Sequence, residues 1–265
     1  MSGNEAFEMV SERGWRRGLN NMLRSGIRRW FKTRTWWVHC LIWGGMIGLI
    51  MVVIVTGTEP PPYEELLVLF SVFAGLFPAV GVTIIMQDAL VGEKREGTAA
   101  WVLSKPVTRQ AFVLSKILAN SVGILVNMVV VPCLIGYAII SISQKSAVNP
   151  LGLLEAMGVI FLSHFFFLTL TLMLGTLFNS RGPVIGIPLA ILFLQQNIIS
   201  LIPALRFVLP WNLIVPLPNS NALVLSLMSI YTPVQSDQMV LPLVILAQCI
   251  LFILVGLWRF SREEF

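Results

Sequence analysis

Six apolar stretches, each about long enough for a helix to cross a bilayer, dominate this chain. They cover residues 36–55, 66–87, 112–141, 153–177, 183–201 and 239–258. A spanning helix needs roughly 20 apolar residues, and in lipid the backbone must satisfy its own hydrogen bonds. Composition agrees: the chain is 56% hydrophobic and 12% charged, whereas a soluble domain carries about a quarter charged residues. Mean hydropathy is +0.83. The expected fold is therefore an all-α integral membrane protein with six spans in one transmembrane domain, residues 36–258. The third stretch is long for one crossing, so its first turns, with Lys116, should project beyond the bilayer. Pro78, Pro132 and Pro188 lie inside stretches and should kink them, packed neighbours satisfying the freed carbonyls.

Orientation follows from the Lys and Arg of the connections. Of 18 such residues, all but Lys145 and Arg206 fall in the N-terminal segment, around the connection after the second stretch, after the fourth, or in the C-terminal tail, 259–265. That bias places both termini in the cytoplasm; the expected setting is the plasma membrane, in a prokaryote. The net charge of +5 then reports topology and gives no reason to invoke nucleic acid. The first 35 residues are polar and basic, and read as a cytoplasmic tail rather than a secretory leader. Cys40, Cys133 and Cys249 all sit inside apolar stretches, where they act as small hydrophobes rather than as disulfide partners or metal ligands.

Within residues 1–35, Leu19, Met22, Leu23, Ile27, Trp30 and Phe31 recur at helical spacing on one face. Arg17, Asn21, Arg24, Arg28 and Lys32 occupy the other. Such a helix lies flat in the bilayer interface. Trp30 and Phe31 should then enter the acyl boundary, while Arg24, Arg28 and Arg29 anchor on anionic headgroups.

The connection at 88–111 is a charged island. Its run VGEKREGTAAWVLSKPVTRQ, residues 91–110, packs six charged side chains into twenty positions. Thr98 can cap a short helix over 99–103, which Pro106 keeps from continuing, and Thr108 can cap the third span. The product is an apolar knob, Trp101 above all, flanked by Glu93, Lys94, Arg95 and Glu96 on one side and by Lys105 and Arg109 on the other. That is the anatomy of a docking surface. The plainer alternative is a solvated loop whose charges only keep it out of lipid.

The run EKREGTAAWVLSKPVTRQAFVLSKIL resembles the cytoplasmic loop of the ABC-2 type permeases, the membrane subunits of ATP-binding cassette exporters. The acidic-basic cluster at 93–96, Gly97-Thr98, the hydrophobic 99–103, Pro106 and Thr108-Arg109 carry the likeness. GTLFNSRGPVIGIPLAILF, residues 175–193, is similar to the family's basic turn between spans four and five. Within the family, the overall look is closest to the group that includes permeases for multicopper-enzyme maturation. The resemblance implies that the island is a coupling helix seated on a separate ATP-binding subunit. Glu93, Arg95, Glu96, Gly97, Thr98, Trp101, Leu103, Lys105 and Arg109 would make that contact. It further implies two copies of the ATPase and a second permease chain, identical or homologous. This chain would bind no cofactor, with ATP and Mg held by the partner. No GxxxxGK[ST] phosphate loop occurs in the sequence.

Other chemistry is thin. There is no HExxH and no GxSxG. His164 is isolated in its span and is read as bonding a facing carbonyl; His39 joins an aromatic belt with Trp36 and Trp37. Residues 202–238, broken by Pro203, Pro210, Pro216 and Pro218, should re-enter the outer leaflet, with a short helix over 222–231. Family likeness makes this segment an outer gate and leaves Trp211 and Asn219 open to external reagents. Phe70, Phe73 and Phe77 on span two, with Gln196 and Asn197 on span five, are candidates for a path taking a hydrophobic or amphipathic substrate; ordinary helix packing is the alternative. From residues alone, the competing function is a non-transporting polytopic scaffold, or a membrane enzyme without a recognised motif.

Overall fold

A computed structural model of the chain describes residues 14–144, 149–218, 220–229, 233–234 and 238–263. An amphipathic helix, α1 (Leu19–Lys32), precedes the first span. The spans are α2 (Trp36–Val55), α3 (Tyr63–Arg95), α5 (Arg109–Gln144), α6 (Pro150–Leu177), α7 (Arg181–Leu201) and α10 (Val240–Ser261). A stub, α4 (Thr98–Leu103), separates α3 from α5. Between α7 and α10 come a 3-10 turn at Pro203–Phe207 and two short helices, α8 (Trp211–Ile214) and α9 (Leu223–Met228). Among the described residues there is no strand, only an isolated bridge between Leu217 and Ser220. The far N-terminus, Asn219 and Tyr231 lie outside the described residues.

The bundle is built around α6, which packs against α3, α5, α7, α8, α9 and α10. Its apolar residues are not confined to one stripe, as a helix enclosed by protein requires, and most of its length is buried. By contrast α2, α7 and α10 turn most of their surface outward.

The charged island is more helical than the sequence implies. Span two does not end at Gln87. Its helix continues through Asp88–Gly92, in a wider π turn, to Arg95. Charge ends the membrane crossing, but nothing ends the helix until Gly97. At 33 residues α3 is about 50 Å long, well beyond the roughly 30 Å hydrocarbon core, so its last turns stand clear of lipid. α5, with 36 residues, projects likewise at its start, and Lys116 there pairs with Glu93 of α3. Helix persists through Pro78 and Pro188. A π turn at Leu125–Val130 ends two residues before Pro132, whose missing N–H cannot serve the carbonyl four residues back.

α1 departs from a purely lipid-facing role. Trp30 is buried in protein, lies over Gly123 of α5, and donates its indole N–H to Asn120 Oδ1 at 3.0 Å. The expectation that Trp30 enters the acyl boundary is corrected accordingly: a buried indole N–H needs an acceptor, and Asn120 offers one that lipid cannot. Phe31, Arg24, Arg28 and Arg29 remain exposed.

Candidate functional site

Gly97 makes the helical stub α4 possible. Its φ of 74° lies in the left-handed region, which glycine adopts without a Cβ penalty. It terminates α3 and opens α4, with Trp101 N–H returning to Gly97 O at 3.0 Å. Thr98 does not cap the helix: it is the first helical residue, and Gly97 occupies the cap without a side-chain bond. Thr108 does cap α5, accepting from Ala111 N–H at 3.1 Å.

The stub is two-faced. Ala99 is fully buried, and Val102 and Leu103 pack on the core, which places 99, 102 and 103 on one inward stripe. Ala100, Trp101 and Ser104 face out, and Trp101 is 61% exposed. Lys105 Nζ stands 3.5 Å from the Trp101 ring centroid, a cation–π contact that holds the indole upright. Arg95 and Glu96 are exposed beside it and form no ion pair among the described residues. Leu103 therefore does not belong to the outward surface, and Glu93 is turned inward to Lys116.

The base of the stub is tied to the ends of the spans. Lys94 reaches Glu263 at 2.5 Å and the Gly175 carbonyl at 3.1 Å. Arg109 donates to the Ser261 carbonyl at 2.6 Å. Arg181, at the start of α7, pairs with Asp88 at 3.3 Å. Sequence reasoning missed these ties because the partners lie 81 to 169 positions apart by their residue numbers. The only hint was that charged residues also occur where the later spans end.

A scan of family models matches residues 46–265 to the ABC-2 family transporter proteins. The chain belongs to the ABC-2 transporter family. This ABC-2 chain is thus the membrane permease subunit of an ABC transporter, and the family implies an ATP-binding cassette partner. A search of curated proteins gives no match.

In the ABC-2 permease the segment between α7 and α10 is wedged into the bundle. α8 and α9 both pack against α3 and α6. Ile214 sits where a Cβ on Gly75 would be, and Ser71 Oγ donates to the Ile214 carbonyl at 2.9 Å. Ser229 Oγ donates to Glu64 Oε1 at 3.1 Å, and Gln238 Nε2 to the Asn221 carbonyl at 2.6 Å. Trp211 is buried, which corrects the expectation that it is open to external reagents: its ring serves packing. Broken backbone at membrane depth persists only where protein satisfies it, and Ser71 and Gln238 do so for the Ile214 and Asn221 carbonyls.

The path candidates separate. Phe70 is fully buried in a notch over Gly136 of α5, a packing role. Phe73 stacks on Phe77 at 5.5 Å, and Phe77 is exposed. Gln196 and Asn197 are exposed on α7, whereas Gln195 is buried. His164 is wholly buried, and the Gly75 carbonyl lies near it without reaching hydrogen-bond geometry. The His39 ring lies tilted against Trp30, centroids 5.3 Å apart, and accepts from Trp43 Nε1 at 3.3 Å.

Proposed function

We propose that this permease is one half of an exporter for a hydrophobic or amphipathic substrate, driven by a separate ATP-binding subunit docked on α4. The observation that carries this is the outward Trp101, held proud by an inward stripe and fixed to a base that is bonded to the ends of α3, α5, α6, α7 and α10. A push on such a knob is transmitted to several spans at once, as rigid-body switching requires. ATP and Mg bind in the partner. A second permease chain covers the outer face of α7: Gln196, Asn197 and Ser200 are exposed there, and polar side chains seldom face lipid. Two ATPases then serve two permeases. The wedge formed by α8 and α9 acts as the outer gate.

This reading sits in the plasma membrane of a prokaryotic cell with both termini cytoplasmic. In a background lacking the three native cysteines, Ser104→Cys beside α4 should react with an impermeant thiol reagent only after permeabilisation. Ala204→Cys, exposed two residues from Arg206, should react in intact cells; the reverse pattern overturns the orientation. Purified by a tag from its native membrane, the permease should bring down an ATP-binding subunit at one copy per chain. A permease that purifies alone under conditions preserving its dimer would overturn the docking.

A further inference from the structure

Helix α10 is gripped by strong polar contacts at its two ends and packs by apolar contact between them. Its buried residues, Leu241, Ile245, Cys249, Gly256 and Phe260, form one stripe toward α6 and α5, and the rest of the helix faces outward. Such packing has little direction. Phe252 meets Phe166 edge-on at 5.5 Å, and Gly256 lets Leu172 of α6 come close. Midway, the Cys249 thiol meets the Thr169 hydroxyl, a weak contact.

At the α4 end the grip is ionic. Lys94, three residues before Gly97, reaches Glu263 just past the end of α10, and the two side chains are only 8% and 14% exposed. Arg109, at the start of α5, donates to the Ser261 carbonyl, where a cation also meets the negative end of the helix dipole. Phe260 stacks flat on Phe112 of α5 at 5.5 Å. This end of α10 is therefore fastened to both helices between which α4 hangs. At the opposite end Gln238, 2% exposed, donates to the Asn221 carbonyl at 2.6 Å and to Ser226 Oγ at 3.4 Å. Asn221 leads into α9 and Ser226 lies within it, so this end of α10 holds the wedge.

We infer that α10 is the rod that joins α4 to the wedge, with Lys94, Glu263 and Gln238 as its positioning residues. At 22 residues it is about 33 Å long, enough to carry a displacement across the hydrocarbon core. A helix keeps its length because its backbone is bonded internally, whereas one-sided apolar packing lets it slide or tilt as a unit. Movement of α4 pulls Glu263 through Lys94, and Gln238 draws Asn221 and α9 with it. Only what this movement opens rests on the proposed gate; the coupling of the two ends stands or falls by itself.

The full-length permease is compared with its variants in a fixed detergent with no ATPase present, so the outcome does not depend on whether α4 docks. The probe is a maleimide, and the reporter is Pro218→Cys, exposed between α8 and α9, in a background lacking the native cysteines. Glu263→Gln should raise the labelling rate at Pro218→Cys by about fivefold, the low end of ordinary coupling between distant sites. Lys94→Gln should do the same, and the two together should raise it no further, since either one already breaks the pair. Arg262→Gln, the exposed neighbour whose guanidinium lies over Trp258, should leave the rate unchanged. Coupling is reciprocal, so Gln238→Leu should speed labelling of Ser104→Cys beside α4. Retained as the sole cysteine, Cys133, wholly buried on α5, should stay unreactive in every variant. A Glu263→Gln permease whose Pro218→Cys labels at the unaltered rate overturns the rod. An equal rise in Arg262→Gln, or reaction of Cys133, would mean that the pair merely holds the fold together and overturns it too.

Discussion

Trp101→Ala should weaken association with the ATP-binding subunit by about thirtyfold, and should abolish substrate-stimulated ATP hydrolysis by the reconstituted transporter. An aromatic anchor at the centre of an interface contributes about 2 kcal/mol or more, and Trp101 is the one large apolar side chain that α4 turns outward. The substitution should not disturb the permease itself. The indole is 61% exposed, and the inward Ala99, Val102 and Leu103 are untouched, so yield and melting temperature should match the wild type. Glu96→Ala should give a milder version, because a rim charge in water is screened and contributes less than about 1 kcal/mol. Leu103→Ala should behave oppositely, loosening the stub on the bundle before it affects docking. A Trp101→Ala permease that retains wild-type complex yield and coupled turnover would remove the physical reason for assigning α4 to the ATPase.

That contrast between Trp101 and Leu103 marks where sequence reasoning reaches its limit. The six spans were legible because length and hydropathy are properties of a segment alone, and no partner has to be known. The stub was legible for the same reason, Pro106 bounding it locally, although its cap is Gly97 rather than the expected Thr98. Which of its side chains faces inward was not, since the six residues of α4 make too few turns for periodicity to define a face. The onset of charge at Asp88 marks the end of the membrane crossing and not of the helix, so sequence alone ends α3 too early. Lys94, Glu93 and Lys116 instead show the helices carrying on past the lipid and joining there. Trp30 was assigned to lipid because an amphipathic face fits an interface and a protein groove equally well. Asn120, one polar residue in an apolar run, was the only sign of the groove. The wedge of α8 and α9 was foreseen as re-entrant from its prolines, but its seating depends on Gly75 and Ser71, nearly 140 residues earlier in the chain.

Gly75→Ala should destabilise the permease by about 1–3 kcal/mol, the usual cost of forcing one extra carbon into a packed site, measured as unfolding in a fixed detergent. The added Cβ would fall inside van der Waals contact of Ile214 Cγ2, with Cδ1 and Cγ1 close behind. Helix α3 is held there by its own length, so α8 must give way, and the Ser71 bond to the Ile214 carbonyl should be lost with it. Ile214→Ala alone should also destabilise, by leaving a cavity between α3 and α6. The double variant is the decisive one. Removing the Ile214 side chain opens the space that the new Cβ needs, so the combined loss should fall short of the sum by about 1 kcal/mol or more. Packing rather than the hydrophobic effect holds such elements together in lipid, which makes this coupling a direct reading of contact. The same variants can be followed at Ala204→Cys: Gly75→Ala should change its rate of external labelling as the segment shifts, and Ile214→Ala should restore it. If the two losses simply add and the labelling rate never moves, Ile214 does not seat over Gly75 and the segment between α7 and α10 is not wedged into the bundle.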